Sequence, residues 1–361
     1  MTRLQSGTIY LSFLFCSLLA PTNARAGEEP YLSVRTGLRC SQCHTNRTGG
    51  GGRTAFGIMY AQTMLGMRKF EFRNRLLNDF VAVGGNLRVL ASGTPTETTP
   101  RTTIGLHEAT VQVEVRVVSD VLAFYVDQTL GPTNASNREA FALLERLPLN
   151  GYLKVGKFLL PYGWRLVDDA EYIRQRTGFT YQTPDQGVEV GIEPGPLSLF
   201  VSLTNGTQGA DENNNGKQVT ATAAIVLPRF TLGASASRND GLTGRRDVVG
   251  AFGGFNLGRF AVLGEADLII DSAVERTDKE QLVGFVEGDF LAVPGLNLKV
   301  TYGYLDRDRT VAQDAKTRLR LGIEAFPIQF LQISGFYTLL QDIPQATTDL
   351  DRISLEFHVY F

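Results

Sequence analysis

Five consecutive residues, Cys40-Ser41-Gln42-Cys43-His44, could do chemistry that nothing else in the chain could. Two thiols two residues apart can form thioethers to the two vinyl groups of one haem, and the histidine that follows can ligate its iron. A structural disulfide or a chance match would use the same letters. Cys16 is the third and last cysteine, and it falls in an apolar run, from about Thr8 to Ala20, that follows Arg3 and precedes Pro21. With the small-residue site Ala24-Arg25-Ala26, this is the order of a secretory signal peptide over residues 1–26. The run is too short to span a bilayer as a helix. Export would remove Cys16 and leave Cys40 and Cys43 as the only cysteines, in a compartment where c-type haem is attached.

Residues 27–75 form a monohaem cytochrome c-type segment. It is too small for an ordinary globular core, but a covalent haem can supply much of one. It carries eight basic residues against Glu28, Glu29 and Glu71, a net of +5. Without Arg3 and Arg25 the whole chain has 33 basic and 37 acidic residues, a net of −4, so the remainder is near −9. Opposite charge of this size suits a cationic plug in an anionic lumen, although arginines paired with haem propionates would give the same count. Gly49-Gly50-Gly51-Gly52 allows close backbone approach or flexibility, and lacks the preceding strand and following Gly-Lys-Ser/Thr of a phosphate loop. Phe56 to Met67 could form a short helix. Its methionines could pad a haem edge, and Met59 or Met64 could provide the second axial ligand.

From 76 to 361 the texture is that of a transmembrane antiparallel β-barrel, an all-β fold. In the last strand Ile353, Leu355, Phe357, Val359 and Phe361 alternate with Arg352, Ser354, Glu356, His358 and Tyr360. Ala109 to Val117, Leu319 to Ala325 and Val262 to Ile270 repeat the pattern. The polar faces hold too many charges for a soluble sandwich, and lipid offers no partner to an open sheet edge, so a closed barrel is required. Sixteen strands are expected, near 80–90, 104–118, 121–130, 139–147, 150–160, 186–193, 196–204, 217–227, 229–238, 247–256, 258–270, 280–291, 295–305, 316–326, 328–340 and 351–361. The stretch 139–147 also fits a helix. Long and short connections alternate, which puts the haem segment and Phe361 at the short-turn, periplasmic end. Among the long ones, 161–185 could narrow the pore or cover a haem, and a self-packed surface loop is its plainer reading. Asp211-Glu212-Asn213-Asn214-Asn215 could hold a hard cation but reads more simply as a solvated tip. His107 falls on the apolar phase of its strand. His358 falls on the lumen phase near the periplasmic rim, as a polar wall residue or a ligand to a haem seated low.

Pro30-Tyr31-Leu32-Ser33-Val34-Arg35-Thr36-Gly37-Leu38-Arg39 leading into Cys40–His44, followed by Thr54-Ala55-Phe56-Gly57, resembles the fused monohaem cytochrome c–porin family of the outer membrane, which includes iron oxidases. Phe361 resembles the terminal assembly signal of outer-membrane barrels. The resemblance implies one covalent haem c on Cys40 and Cys43, with His44 as proximal ligand, in the outer membrane of a Gram-negative bacterium. It implies partners too: outer-membrane lipid, an extracellular reductant such as Fe(II), and a periplasmic cytochrome or other electron acceptor. That would make the chain an electron carrier and a possible Fe(II):cytochrome c oxidoreductase. The alternative is a solute-conducting porin with a structural or sensory haem. No nucleic-acid partner is expected.

Overall fold

The computed structural model describes residues 29–68, 80–95, 101–132, 134–212, 214–242, 244–273, 279–343 and 350–361. The leader expected over residues 1–26 lies outside them, as do Asn213 and the boundary expected at 75/76.

Sixteen antiparallel strands close into a barrel in strict chain order, with β1 paired to β16. They are β1 Val81–Gly93, β2 Thr102–Val118, β3 Leu122–Gly131, β4 Ser136–Leu147, β5 Gly151–Phe158, β6 Asp185–Ile192, β7 Leu197–Thr204 and β8 Gln218–Val226. The second half is β9 Phe230–Gly241, β10 Gly244–Leu257, β11 Phe260–Ala273, β12 Lys279–Val293, β13 Leu296–Asp306, β14 Ala315–Ile328, β15 Leu331–Ile343 and β16 Leu350–Tyr360. Each corresponds to an expected segment. The closing seam pairs Asn86 with Tyr360 and Val89 with Phe357. Phe361 extends the seam by exchanging backbone hydrogen bonds with Gly85, at 3.2 and 3.1 Å.

Burial is inverted relative to a soluble protein. Val188, Val201, Leu232, Val300, Leu321 and Phe357 are exposed on the outer wall, while Asp127, Lys154, Glu189, Asp267, Asp289 and Glu324 are buried inside. The outer wall can meet lipid because closure satisfies every ladder hydrogen bond. β4 is a strand, not a helix. Its alternation is masked because Phe141 and Leu143 point inward, into a lumenal cluster with Tyr125, Tyr152, Phe158 and Phe200.

The connections at one end are tight, as at 148–150, 227–229 and 258–259. At the other end lies the connection 159–184, which carries a helix at Tyr172–Thr177. The loop expected at 239–246 is a correction: β9 and β10 continue through it and leave only 242–243 between them, because Arg245 and Arg246 still pair in the ladder.

The correction at His107 has a local cause. Arg88 pairs with Glu108 and Val89 with Leu106, so His107 is the extra residue of a bulge. The bulge resets the alternation and turns His107 from the expected apolar phase into the lumen, where its Nδ1 lies 2.6 Å from Glu356.

Candidate functional site

The segment 29–68 lies inside the barrel. It contains α1 Pro30–Thr36, α2 Cys40–Cys43 and α3 Ala55–Tyr60, then a π-helical turn over Ala61–Leu65. Pro30 at the first turn of α1 and the left-handed Gly37 after its end set the length of that helix. Thr54 caps α3 by accepting from the Gly57 N–H.

The segment touches the short-turn rim at two places. Arg39 donates to the backbone carbonyls of Glu193 and Gly195. The Met67 N–H donates to the Phe326 carbonyl at 2.8 Å. Elsewhere it is tied to the wall by side chains that meet several strands. Arg47 pairs with Glu145 at 2.9 Å and Glu193 at 3.3 Å, and Arg35 donates to Asn297 at 2.8 Å. Asn46 donates to Glu139 at 2.6 Å and accepts from Lys154 at 2.9 Å. Thr45 donates to Glu114, and Tyr31 to Glu324. Cationic and neutral donors on the segment thus meet carboxylates on the wall, in the sense that the charge asymmetry suggested. Hydrogen bonds to a charged group are worth about 1.5–3 kcal/mol, so losing one such tie costs on that order.

Cys40 and Cys43 occupy the single turn of α2, and His44 follows as its C-cap, so three consecutive steps of chain present two thiols and an imidazole together. Both thiols are free. Burial pushes the Cys43 thiol up to about 11, with the neighbouring Cys40 adding to the effect, and burial likewise raises Cys40. Beside them lies a cavity of about 120 Å³. Its wall combines Phe200, Phe252, Trp164, Tyr162 and Tyr181 with Arg39, Arg47 and Arg165.

Two glycines make this packing possible. A Cβ at Gly57 would lie 2.1 Å from the Cys43 carbonyl oxygen, so α3 crosses the Cys43 backbone only without a side chain there. Gly51 has φ +66, and its Cβ would lie 2.4 Å from Tyr125 Oη. Gly51→Ala is therefore expected to destabilise the folded barrel by an amount on the order of 1–3 kcal/mol, read as a lower temperature for loss of the heat-modifiable band. An unchanged transition would show that the glycine run is not held against β3.

The connection 159–184 folds into the lumen and is not the self-packed surface loop of the plainer expectation. Tyr162 donates to Asp267 at 2.7 Å, and the Trp164 indole donates to the carbonyls of Gly264 and Gly253 at 3.2 and 3.3 Å. Arg174 on α4 (Tyr172–Thr177) pairs with Glu265 at 2.5 Å, and Asp168 pairs with Arg318 at 2.8 Å and also with Arg320. With Tyr181 wedged between Arg138 and Arg165, this loop separates the cavity from an outer vestibule of about 290 Å³. The vestibule is lined by charges that include Arg88, Arg138, Arg318, Asp168 and Glu356.

Burial alone would push Asp168 up, but Arg320 and Arg318 together outweigh it and hold the carboxyl at about 2, against an ordinary 3.8. A carboxyl depressed in the folded state stabilises above its ordinary value and loses that contribution as pH falls through the folded one. The loop should lose about 2 kcal/mol of anchoring between pH 4 and 2. Trp164 is the only tryptophan in the chain, so its emission should move to longer wavelength over that range. Asp168→Asn should show the shifted emission already at pH 7; identical spectra for the two proteins would remove the anchor.

The structure brings Cys40, Cys43 and His44 together at the cavity. Met59 is half exposed on α3, Met64 packs beside the buried cluster of Tyr31, Leu65 and Phe326, and neither lines the cavity. His358 is a polar wall residue away from it, with its ring nitrogens 2.7 Å from Gln332 and 3.0 Å from Asn86. In the tip that could have held a cation, Glu212 pairs with Lys217 at 2.7 Å, and no metal-type cluster occurs among the described residues. Sequence reasoning missed Phe200, Phe252 and Glu193, which carry no local mark of the site.

No protein-family model matches the sequence, and no curated protein does. The fold is similar to that of solved porins. OmpT of Vibrio cholerae, an outer membrane protein, superimposes with a TM-score of 0.62 at 14% identity, over 78% of this chain and 99% of that one. The anion-selective porin of Comamonas acidovorans gives 0.61 at 10% identity, over 78% and 99%. The outer membrane channel DcaP of Acinetobacter baumannii gives 0.59 at 14% identity, over 78% and 97%. At these identities the likeness extends to the barrel architecture: a closed sixteen-stranded sheet of the outer-membrane porin type.

Proposed function

We propose that the chain is an outer-membrane barrel whose N-terminal segment holds one covalent c-type haem in the lumen and carries electrons between the two faces of the membrane. The observation that supports this reading best is the opening of Cys40, Cys43 and His44 onto one cavity inside the wall, lined by aromatic rings and arginines. The residues fit the group. Cys40 and Cys43 would hold it covalently, and His44 would ligate the iron. Trp164, Phe200 and Phe252 form the apolar wall that keeps water away. Arg165 lines the cavity with no carboxylate paired to it among the described residues, which suits an anionic edge. When bound, the haem supplies a one-electron carrier.

In this reading an external reductant, of which Fe(II) is one, approaches through the vestibule. The inward loop and the N-terminal segment bar solutes. A periplasmic cytochrome or other soluble acceptor is served at the short-turn face, where the segment reaches the rim.

The charged vestibule and the porin likeness favour a second reading, a solute-conducting porin with a structural or sensory haem. Proteoliposomes containing cytochrome c, with a membrane-impermeant reductant outside, separate the two. The first reading expects reduction inside that depends on the haem-loaded protein. Loaded protein that transfers no electrons but passes small ions freely leaves only the second.

A further inference from the structure

We propose that this chain offers the haem iron one side-chain ligand, His44, and that the same cavity therefore takes a small neutral molecule of the carbon monoxide class. This rests on the haem reading above and goes beyond it.

The groups that usually complete a c-type haem are an imidazole or a thioether. The chain contains three histidines and four methionines. His107 is held by Glu356 at 2.6 Å in the outer vestibule. His358 has both nitrogens within hydrogen-bond distance of Gln332 and Asn86. Met1 lies in the expected leader. Met59 faces outward from α3, Met64 packs in the buried cluster, and Met67 lies against Gly295, where a Cβ would come within 2.8 Å of its Cγ. None of these lines the cavity.

Several of the oxygen donors that line it are engaged. Tyr162 donates to Asp267. Glu193 holds Ser41, Ser198 and Arg47. Glu29 is paired with Lys299 at 3.2 Å. Besides Arg39, Arg47 and Arg165, the wall carries the apolar Trp164, Phe200, Phe252, Ala224 and Val226. A neutral diatomic ligand needs no charged partner from this wall and gives up little hydration on entering it.

The test uses full-length, haem-loaded protein in detergent, with covalent haem stain scored on the same sample. A high-spin ferric spectrum is expected, and after reduction a saturable Soret shift on adding carbon monoxide. A stained sample that is low-spin and shows no shift at saturating carbon monoxide overturns the proposal and leaves the haem reading standing. Conversion of that low-spin spectrum to high-spin in Met59→Leu or Met64→Leu would name the ligand that had been overlooked. A sample with no stain removes the haem reading and this proposal together.

Discussion

The double variant Cys40→Ser, Cys43→Ser is expected to lose all covalent haem stain in denaturing electrophoresis, while the wild type keeps its stain after boiling. The expectation is all-or-none because the two thioethers are the only covalent links a c-type site offers, and the one other cysteine, Cys16, lies outside the pair. The barrel should still form. The sixteen strands pair through backbone ladders that do not involve α2, and the segment keeps its ties through Arg47, Asn46 and Tyr31. A loss of near two orders of magnitude in stain, with the heat-modifiable band unchanged, would separate attachment from folding. Full stain in the double variant would refute attachment at these residues.

Removal of residues 27–75 is the second large effect. A sixteen-stranded barrel without internal filling leaves an aqueous channel, so single-channel conductance should rise at least about tenfold over the intact protein. The reason is the density of the lumen. The segment and the inward connection fill it between them, bonded to Glu114, Glu139, Glu193, Glu265 and Glu324 on the wall. Without the segment, the carboxylates it had met gain water in its place, so the barrel survives and becomes anionic inside. That predicts cation preference in the open form. If the intact protein already conducts at the same level, the segment is not a plug.

Most of the fold was legible because one face of each strand answers to lipid alone. Leu355, Phe357 and Val359 must point outward, so period two is undisturbed in β16. Legibility fails where another demand intrudes. In β4, Phe141 and Leu143 serve an internal apolar cluster, which makes both faces greasy and imitates a helix. At His107 a one-residue bulge inverts the phase without altering composition. The cysteine motif was readable because its chemistry is contiguous in the chain. The rest of the site was not, because Phe200, Phe252 and Glu193 reach the cavity from strands and turns more than a hundred residues away. The inward path of the loop depends on Asp267, Glu265 and Arg318, partners as remote, so the loop alone looks like any polar connection.

The seam between β1 and β16 sets a timetable for making this protein. The first strand follows the N-terminal segment, and its partner is the last strand to be synthesised. Until β16 arrives, the lumen has no complete wall, and Cys40 and Cys43 are open to any enzyme that works on thiols. Afterwards Cys43 and His44 are buried behind the wall and the loop. If the thiols carry haem as proposed, the cofactor must be joined to the unclosed chain in transit, and closure of the seam then locks it in. Haem supply would thereby act as a checkpoint on insertion: chains that reach the membrane without the cofactor close around an empty core and cannot be repaired later.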